Sequence, residues 1–240
     1  MYHKTQGIVL NTINYNDKYL LASVYTDQFG RVTYMVPKSK GKSSKIKKSL
    51  FSPLALLEME TEHQASRDIQ RIREVQIISP LYSISGNMIK TSVALFLSEF
   101  LSRVLKDTDE YPIIFQYLKD SIQILEESEK GLANFHLVFV LKLTRFLGFY
   151  PNLENYINGS YFDMLNGVFV DRQPLHNHYV NKTDSKALSL LSRITYENMH
   201  YFKFSRQERR NIIDRMIEYY RIHLHNFQDL KSLDILQELF

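Results

Sequence analysis

Up to about residue 78 the apolar positions recur on a two-residue period, and after Pro80 they recur every three to four residues. The first period belongs to half-buried strands, the second to amphipathic helices. Residues 7–15 and 18–26 are β-rich runs separated by the turn signal Asn16-Asp17. Asp27-Gln28-Phe29-Gly30 leads into a third run, 31–36, in which Arg-Val-Thr-Tyr-Met-Val alternates polar and apolar. A glycine at position 30 suits a hairpin connection with positive φ. Pro37 ends the run because proline cannot donate to a strand ladder. Residues 54–60 favour helix by propensity, but Pro53 and the β-rich neighbours argue for a strand. Residues 67–78 alternate again, with Ile69, Ile72, Val75 and Ile77 towards one face. Five short strands in this length predict a five-stranded β-barrel of the OB type.

Helical stripes follow at 88–106, 111–127 and 133–147, with Pro112 in a tolerated first-turn position and Gly148-x-x-Pro151 as a stop. Residues 152–181 are irregular, with a short hairpin near Tyr161–Val170. A helix capped by Thr183 or Asp184 is expected through about residue 195. Another begins at Ser205, with Glu208 at the capping-box spacing, and runs to about Leu224. The last helix covers 231–239. The fold class is therefore α+β with two domains: a barrel at 1–80 and an α-helical domain at 81–240, interrupted by an irregular insertion at about 150–182.

Charge changes this picture in one place. Residues 1–80 hold 12 Lys+Arg against 7 Asp+Glu, whereas 81–240 hold 18 against 19. Six of the eleven residues in 38–48 are lysine, and no acidic residue occurs between Asp27 and Glu58. Like charges packed so densely repel one another unless a polyanion lies opposite. Lysine neutralises phosphate as a flexible point charge, without bidentate geometry. Lys38, Lys40, Lys42, Lys45, Lys47 and Lys48, with Arg31 on the preceding strand, are the candidate nucleic-acid contacts; a solvated hairpin loop is the plain alternative. Tyr25, Phe29 and Tyr34 are candidates for stacking on bases.

Other chemistry is sparse. The chain has no cysteine, which excludes disulfides and cysteine-ligated metal. The first residues lack the apolar core of a signal peptide, and no apolar run reaches the ~18 residues of a membrane span. His176-x-His178 and His223-x-His225 lack a third ligand, and on a helix the second pair diverges. His223 fits better as a packing residue between the last two helices. Glu58, Glu60 and Glu62 share a strand face, as solvated residues do. Gly41-Lys42-Ser43 resembles the end of a P-loop, but Pro37 stands where the upstream glycine belongs. Arg206, Arg209, Arg210 and Arg215 form a second basic group at the start and middle of a helix, the first three able to share a face, suited either to pairing with Glu208 and Asp214 or to an acidic peptide or phosphate.

Three stretches, in order, resemble the bacterial recombination mediator family RecO. The first is Gly7-Ile-Val-Leu, Asn16-Asp17-Lys18-Tyr19-Leu20-Leu21 and Thr26-Asp27-Gln28-Phe29-Gly30 before the basic loop. The second is Leu147-Gly148-Phe149-Tyr150-Pro151-Asn152-Leu153. The third is Tyr219-Tyr220-Arg221-Ile222-His223-Leu224 with Leu230-Lys231-Ser232-Leu233-Asp234-Ile235-Leu236. The ordered set spans the chain.

The resemblance implies an N-terminal OB domain, an α-helical C-terminal domain and no enzymatic activity. It implies binding of single- and double-stranded DNA, annealing of complementary strands, and help in loading RecA onto DNA coated with single-strand-binding protein (SSB). RecR and the acidic C-terminal tail of SSB are the implied partners, RecA an indirect one, and the cytoplasmic nucleoid the implied location. Arg206, Arg209 and Arg210 are the candidate docking residues for the tail. Many family members carry a four-cysteine zinc site after the glycine-proline turn. Residues 155–170 contain no cysteine here, so no metal or other cofactor is expected, and Tyr156, Tyr161, Phe162 and Phe169 are expected to hold the insertion by packing. The alternatives are a Mg²⁺-dependent nuclease with an OB appendage and an RNA-binding OB protein.

Overall fold

The computed structural model describes residues 2–38, 46–105 and 111–240. The chain divides into two compact units, Met1–Glu127 and Ser128–Phe240. The change from strand to helix falls near residue 80, so the first unit contains the barrel together with the three helices after it.

The barrel consists of β1 (Tyr2–Asn14), β2 (Tyr19–Thr26), β3 (Gly30–Pro37), β4 (Leu56–Glu62) and β5 (Ile69–Ser79), closed in the order β1-β2-β3-β5-β4. All neighbours are antiparallel except β3 and β5, which run parallel. This is the five-stranded OB-type architecture that the alternation predicts. Val9, Leu20, Ala22, Val24, Val32, Tyr34, Val36, Leu57, Met59 and Ile72 fill the interior. The side chains of the interior fill the space over Gly7: a Cβ there would lie 2.5 Å from Val24 Cγ1 and 2.6 Å from Met59 Cε, so both would have to shift. Gly30 adopts φ 61°, the left-handed conformation expected of the β2–β3 turn.

Three helices complete the unit: α1 (Tyr82–Gly86), α2 (Met88–Val104) and α3 (Tyr111–Glu127). The sequence reading missed α1, which is five residues long and held by tertiary contacts. Glu126 on α3 accepts the amides of Ser83 and Ile84 at 2.6 and 2.8 Å, so a carboxylate caps the orphan donors of this short helix. Buried Lys90 donates to Ser83 Oγ and to the Glu126 carbonyl at the same junction. The α2 helix lies against β1, where Ser98 donates to the Leu10 carbonyl.

The second unit is built on α4 (Leu132–Phe146), whose residues Phe135–Leu141 are all buried. A small sheet follows, with β6 (Tyr161–Asp163) between β7 (Val168–Val170) and β8 (Tyr179–Val180). The hairpin is as expected; the third strand was too short to be legible. Next come α5 (Lys182–Ser189), α6 (Arg206–His223) and α7 (Lys231–Leu239). The cap of α5 is Asn181, which accepts from the Asp184 amide, and not Thr183 or Asp184. The expected continuous helix to 195 instead tightens into a 3-10 segment over Leu190–Arg193. The Ser205/Glu208 capping box on α6 is present in both directions. Buried Tyr220 on α6 donates to the Val140 carbonyl of α4 at 2.8 Å.

Candidate nucleic-acid interface

Because Leu20, Ala22 and Val24 on β2 and Val32, Tyr34 and Val36 on β3 point into the core, Tyr19, Leu21, Ser23, Thr33, Met35 and Pro37 lie on the outer face. Strand register sets them side by side. Ile13 pairs with Leu21, Leu21 with Met35, and Met35 with Arg71 on β5; Tyr19 pairs with Pro37. Tyr15 closes the β1–β2 hairpin, its amide donating to the Tyr19 carbonyl at 3.2 Å.

The tip of this hairpin is a built turn. Asn16 Oδ1 accepts the amides of Lys18 and Tyr19, both at 2.9 Å, as asparagine does in an Asx turn. Lys38 at the root of the lysine-rich segment is tied to it twice. Its amide donates to the Lys18 carbonyl at 2.8 Å and its Nζ to the Asn16 carbonyl at 2.6 Å. Past the segment, Lys47 and Lys48 are exposed where a 3-10 turn, Lys48–Leu50, begins. Lys40, Lys42 and Lys45 lie outside the described residues.

Arg31 stands apart. It pairs with Tyr25 at the far end of β3, about 20 Å of extended chain from Lys38. Its guanidinium donates to the Ser102 carbonyl in the last turn of α2 at 2.9 Å. Two of the three stacking candidates are corrected by burial. Tyr25 and Tyr34 have no exposed surface, and burial pushes the Tyr34 hydroxyl up to about 12. Phe29 is half-buried and already stacked on His63, ring centroids 4.0 Å apart. Tyr15 and Tyr19, 56% and 36% exposed, are the aromatics this face offers. The signal for them was the strand phase: once positions 20, 22 and 24 are core, 19 and 21 must face out.

The α6 arginines are engaged within the unit. Arg206 donates to the Gln237 and Glu238 carbonyls at the end of α7, at 3.0–3.3 Å. Arg210 donates to Gln237 Oε1 at 2.9 Å, and Arg209 to the Phe204 carbonyl. Neither the Glu208 nor the Asp214 pairing forms with them; Asp214 instead accepts from Gln237. The neighbouring face of α6, through Gln207, Asn211, Ile212 and Arg215, borders a groove of about 350 Å³ shared with Lys186 and Leu188 of α5.

Two family models match the chain in tandem: "Recombination protein O N terminal" over residues 1–81 and "Recombination protein O C terminal" over 85–234. The chain belongs to the RecO family. Among its RecO relatives, "DNA repair protein RecO" of Azobacteroides pseudotrichonymphae is 47% identical over 240 residues, covering both chains completely. The proteins of the same name from Phocaeicola vulgatus and Flavobacterium psychrophilum are 42% identical over 240 residues and 31% over 239, with at least 98% of each chain covered.

A RecO zinc site does not fit the residues present. The chain has no cysteine, and among the described residues no group of three or more histidines and carboxylates is placed to hold a metal. The RecO insertion has a carboxylate hub instead. Asp163 accepts the Leu165 and Asn166 amides and the Asn166 side-chain NH₂, and lies 3.3 Å from His176 Nε2. Burial opposes its charge, but these donors hold the carboxyl below its ordinary range. Phe169 packs edge-on against Tyr156 and Phe162, and Tyr161 against Tyr179. His223 serves this region rather than the α6–α7 contact: its Nε2 lies 2.9 Å from the Met164 carbonyl and its ring stacks on Phe149. No helix among the described residues is long and apolar enough to cross a membrane.

Proposed function

We propose that this RecO-family chain is a non-enzymatic DNA-binding mediator. It holds single- and double-stranded DNA through Lys38, Lys40, Lys42, Lys45, Lys47 and Lys48, anneals complementary strands, and with RecR helps RecA load onto SSB-coated single strands. The observation that carries the reading is the double tie of Lys38, the first of these lysines, to the β1–β2 turn, with Lys47 and Lys48 exposed. Annealing then follows from electrostatics. A cationic surface that neutralises both strands lowers their repulsion, and point charges on flexible stems let the strands slide into register. Arg31 is the weaker member, since its guanidinium is occupied at α2.

The acidic tail of SSB is proposed to dock along α6. Arg209 and Arg210 offer charge on one face; the α5–α6 groove offers an apolar floor with Lys186 and Arg215 at its rim. A tail ending in apolar and acidic groups needs both. Titrating a fluorescent tail peptide against Arg209→Ala/Arg210→Ala and Lys186→Ala/Arg215→Ala separates the two faces.

The deciding experiment is strand annealing on SSB-coated DNA without ATP, with and without RecR. Wild type should anneal without a nucleotide and the six-lysine alanine variant should not. Mg²⁺-dependent cleavage of the DNA would establish the nuclease alternative, and preferential retention of RNA the RNA-binding one.

A further inference from the structure

Asparagine is followed by glycine twice in the insertion, at Asn158-Gly159 and Asn166-Gly167, and nowhere else in the chain. The dipeptide carries a chemistry of its own. The glycine amide nitrogen can attack the asparagine side-chain carbonyl and close a succinimide ring. Glycine favours the step because no Cβ shields its nitrogen and its backbone rotates freely into the attacking geometry. The fold treats the two pairs differently, although both asparagines are exposed. Asn166 is held at every reacting group. Its side-chain NH₂, the leaving group, donates to Asp163 Oδ2 at 2.7 Å, and its main-chain amide donates to Asp163 Oδ1 at 3.2 Å. The nucleophile is engaged as well, since the Gly167 amide donates to the Asp163 carbonyl at 2.8 Å. Gly167 itself is buried against Tyr219, whose hydroxyl would lie 2.6 Å from a Cβ there. This turn has to open locally before it can react.

Asn158 has none of these restraints. Its side chain accepts one long bond, from the Tyr156 hydroxyl to Oδ1 at 3.5 Å, and Nδ2 donates to no group among the described residues. The turn that holds it is closed by the Ser160 amide and the Ile157 carbonyl at 3.0 Å, so the Gly159 amide takes no part in closing it. A Cβ on Gly159 would meet nothing within 4 Å, so the space around the nucleophile is open. From this contrast we propose that Asn158 is a site of spontaneous deamidation and that the Asp163 hub protects Asn166 from the same reaction. The Gly159 N–Cγ bond forms, the Cγ–Nδ2 bond breaks, and the amide proton leaves with Nδ2 as ammonia. Water then opens the ring at either carbonyl. One opening restores the original main chain with aspartate at the position; the other routes the main chain through the side chain as isoaspartate. Both products add a negative charge to the surface of the insertion. Isoaspartate also lengthens the main chain inside the turn that leads into β6.

The test ages the full folded chain in warm, mildly alkaline buffer and follows each asparagine by peptide-mapping mass spectrometry. Isoaspartate is read in parallel by enzymatic methylation with an isoaspartate-specific methyltransferase. Asn158 should convert at least about tenfold faster than Asn166, because the second site reacts only in the fraction of molecules whose turn has opened. Methylation should map to residue 158. In urea, where the hub is gone, the two sites should convert at similar rates, which assigns the difference to the fold rather than to the neighbouring sequence. Asn158→Gln should fold as wild type does and lose the methylation signal, since the longer side chain closes a larger and less favoured ring. Equal rates at the two sites in the folded chain would overturn the proposal. So would faster conversion of Asn166, or a methylation signal that survives in Asn158→Gln.

Discussion

Lys47 and Lys48 on the barrel stand exposed, and Lys38 gives its ammonium to a single carbonyl of the β1–β2 turn. On α6, Arg206 straddles two carbonyls at the end of α7, Arg210 holds Gln237, and Arg209 reaches the Phe204 carbonyl. The two clusters look alike in sequence, both being short basic groups. They differ in what their hydrogen-bond donors do. The planar fork of Arg206 suits the orphan carbonyls of a helix end and is engaged there. Lysine's compact charge on a flexible stem stays available to phosphate. Counting charges therefore finds a cationic surface; following each donor to its acceptor tells a binding surface from a structural tie.

The sharpest way to break this comparison is to remove each cluster in turn. Changing all six lysines of 38–48 to alanine should cost DNA affinity at least a hundredfold at low salt, given that several phosphate contacts are lost together. The melting temperature should stay within about 1 °C, since surface charges contribute little to stability. Arg206→Ala/Arg210→Ala should do the reverse. Losing charge-assisted bonds to buried Gln237 and to the Glu238 carbonyl should destabilise the chain by about 1–2 kcal/mol, with DNA affinity unchanged. If the arginine variant keeps its stability but loses the SSB tail peptide, the arginines are docking residues first.

Acid sharpens the contrast further. Burial pushes the His136 imidazole down to about 3, with nearby Arg209 adding to the effect, so it stays neutral in the folded chain. The unfolded chain takes up that proton near 6.5. Stability from this group is thus complete above pH 6.5 and is lost progressively as pH falls from 6.5 towards 3. Chemical denaturation across that window should show the decline, and His136→Leu should flatten it. The smallest expected effect is that of a chelator: with no cysteine and a carboxylate hub at Asp163, EDTA should leave the melting temperature unchanged, and elemental analysis should find no stoichiometric zinc.

The barrel was legible in the sequence because strand phase is a local signal. Alternation over 31–36 and the glycine at 30 specify β3 and its turn without help from the rest of the chain. Which aromatics face out was misread at Tyr25 and Tyr34. Tyr34 follows the inward phase, and Tyr25 lies on the outer phase yet is fully buried, which only packing reveals. The five-residue α1 and the two-residue β8 were invisible for a related reason. Both are too short to carry a period, and α1 exists because a carboxylate 42–43 residues away caps it. The fate of Arg206 and Arg210 was hidden likewise, since their acceptors lie 27–32 residues downstream.

The central claim, that the barrel lysines hold phosphate, is tested most directly by the salt dependence of DNA binding. Binding constants for wild type and the six-lysine variant should be measured by anisotropy over a range of salt concentrations and plotted on logarithmic axes. Each lost phosphate contact should lower the slope by about 0.7–0.9. The account predicts a clearly flatter line for the variant on single strands and duplex alike; identical slopes would contradict it.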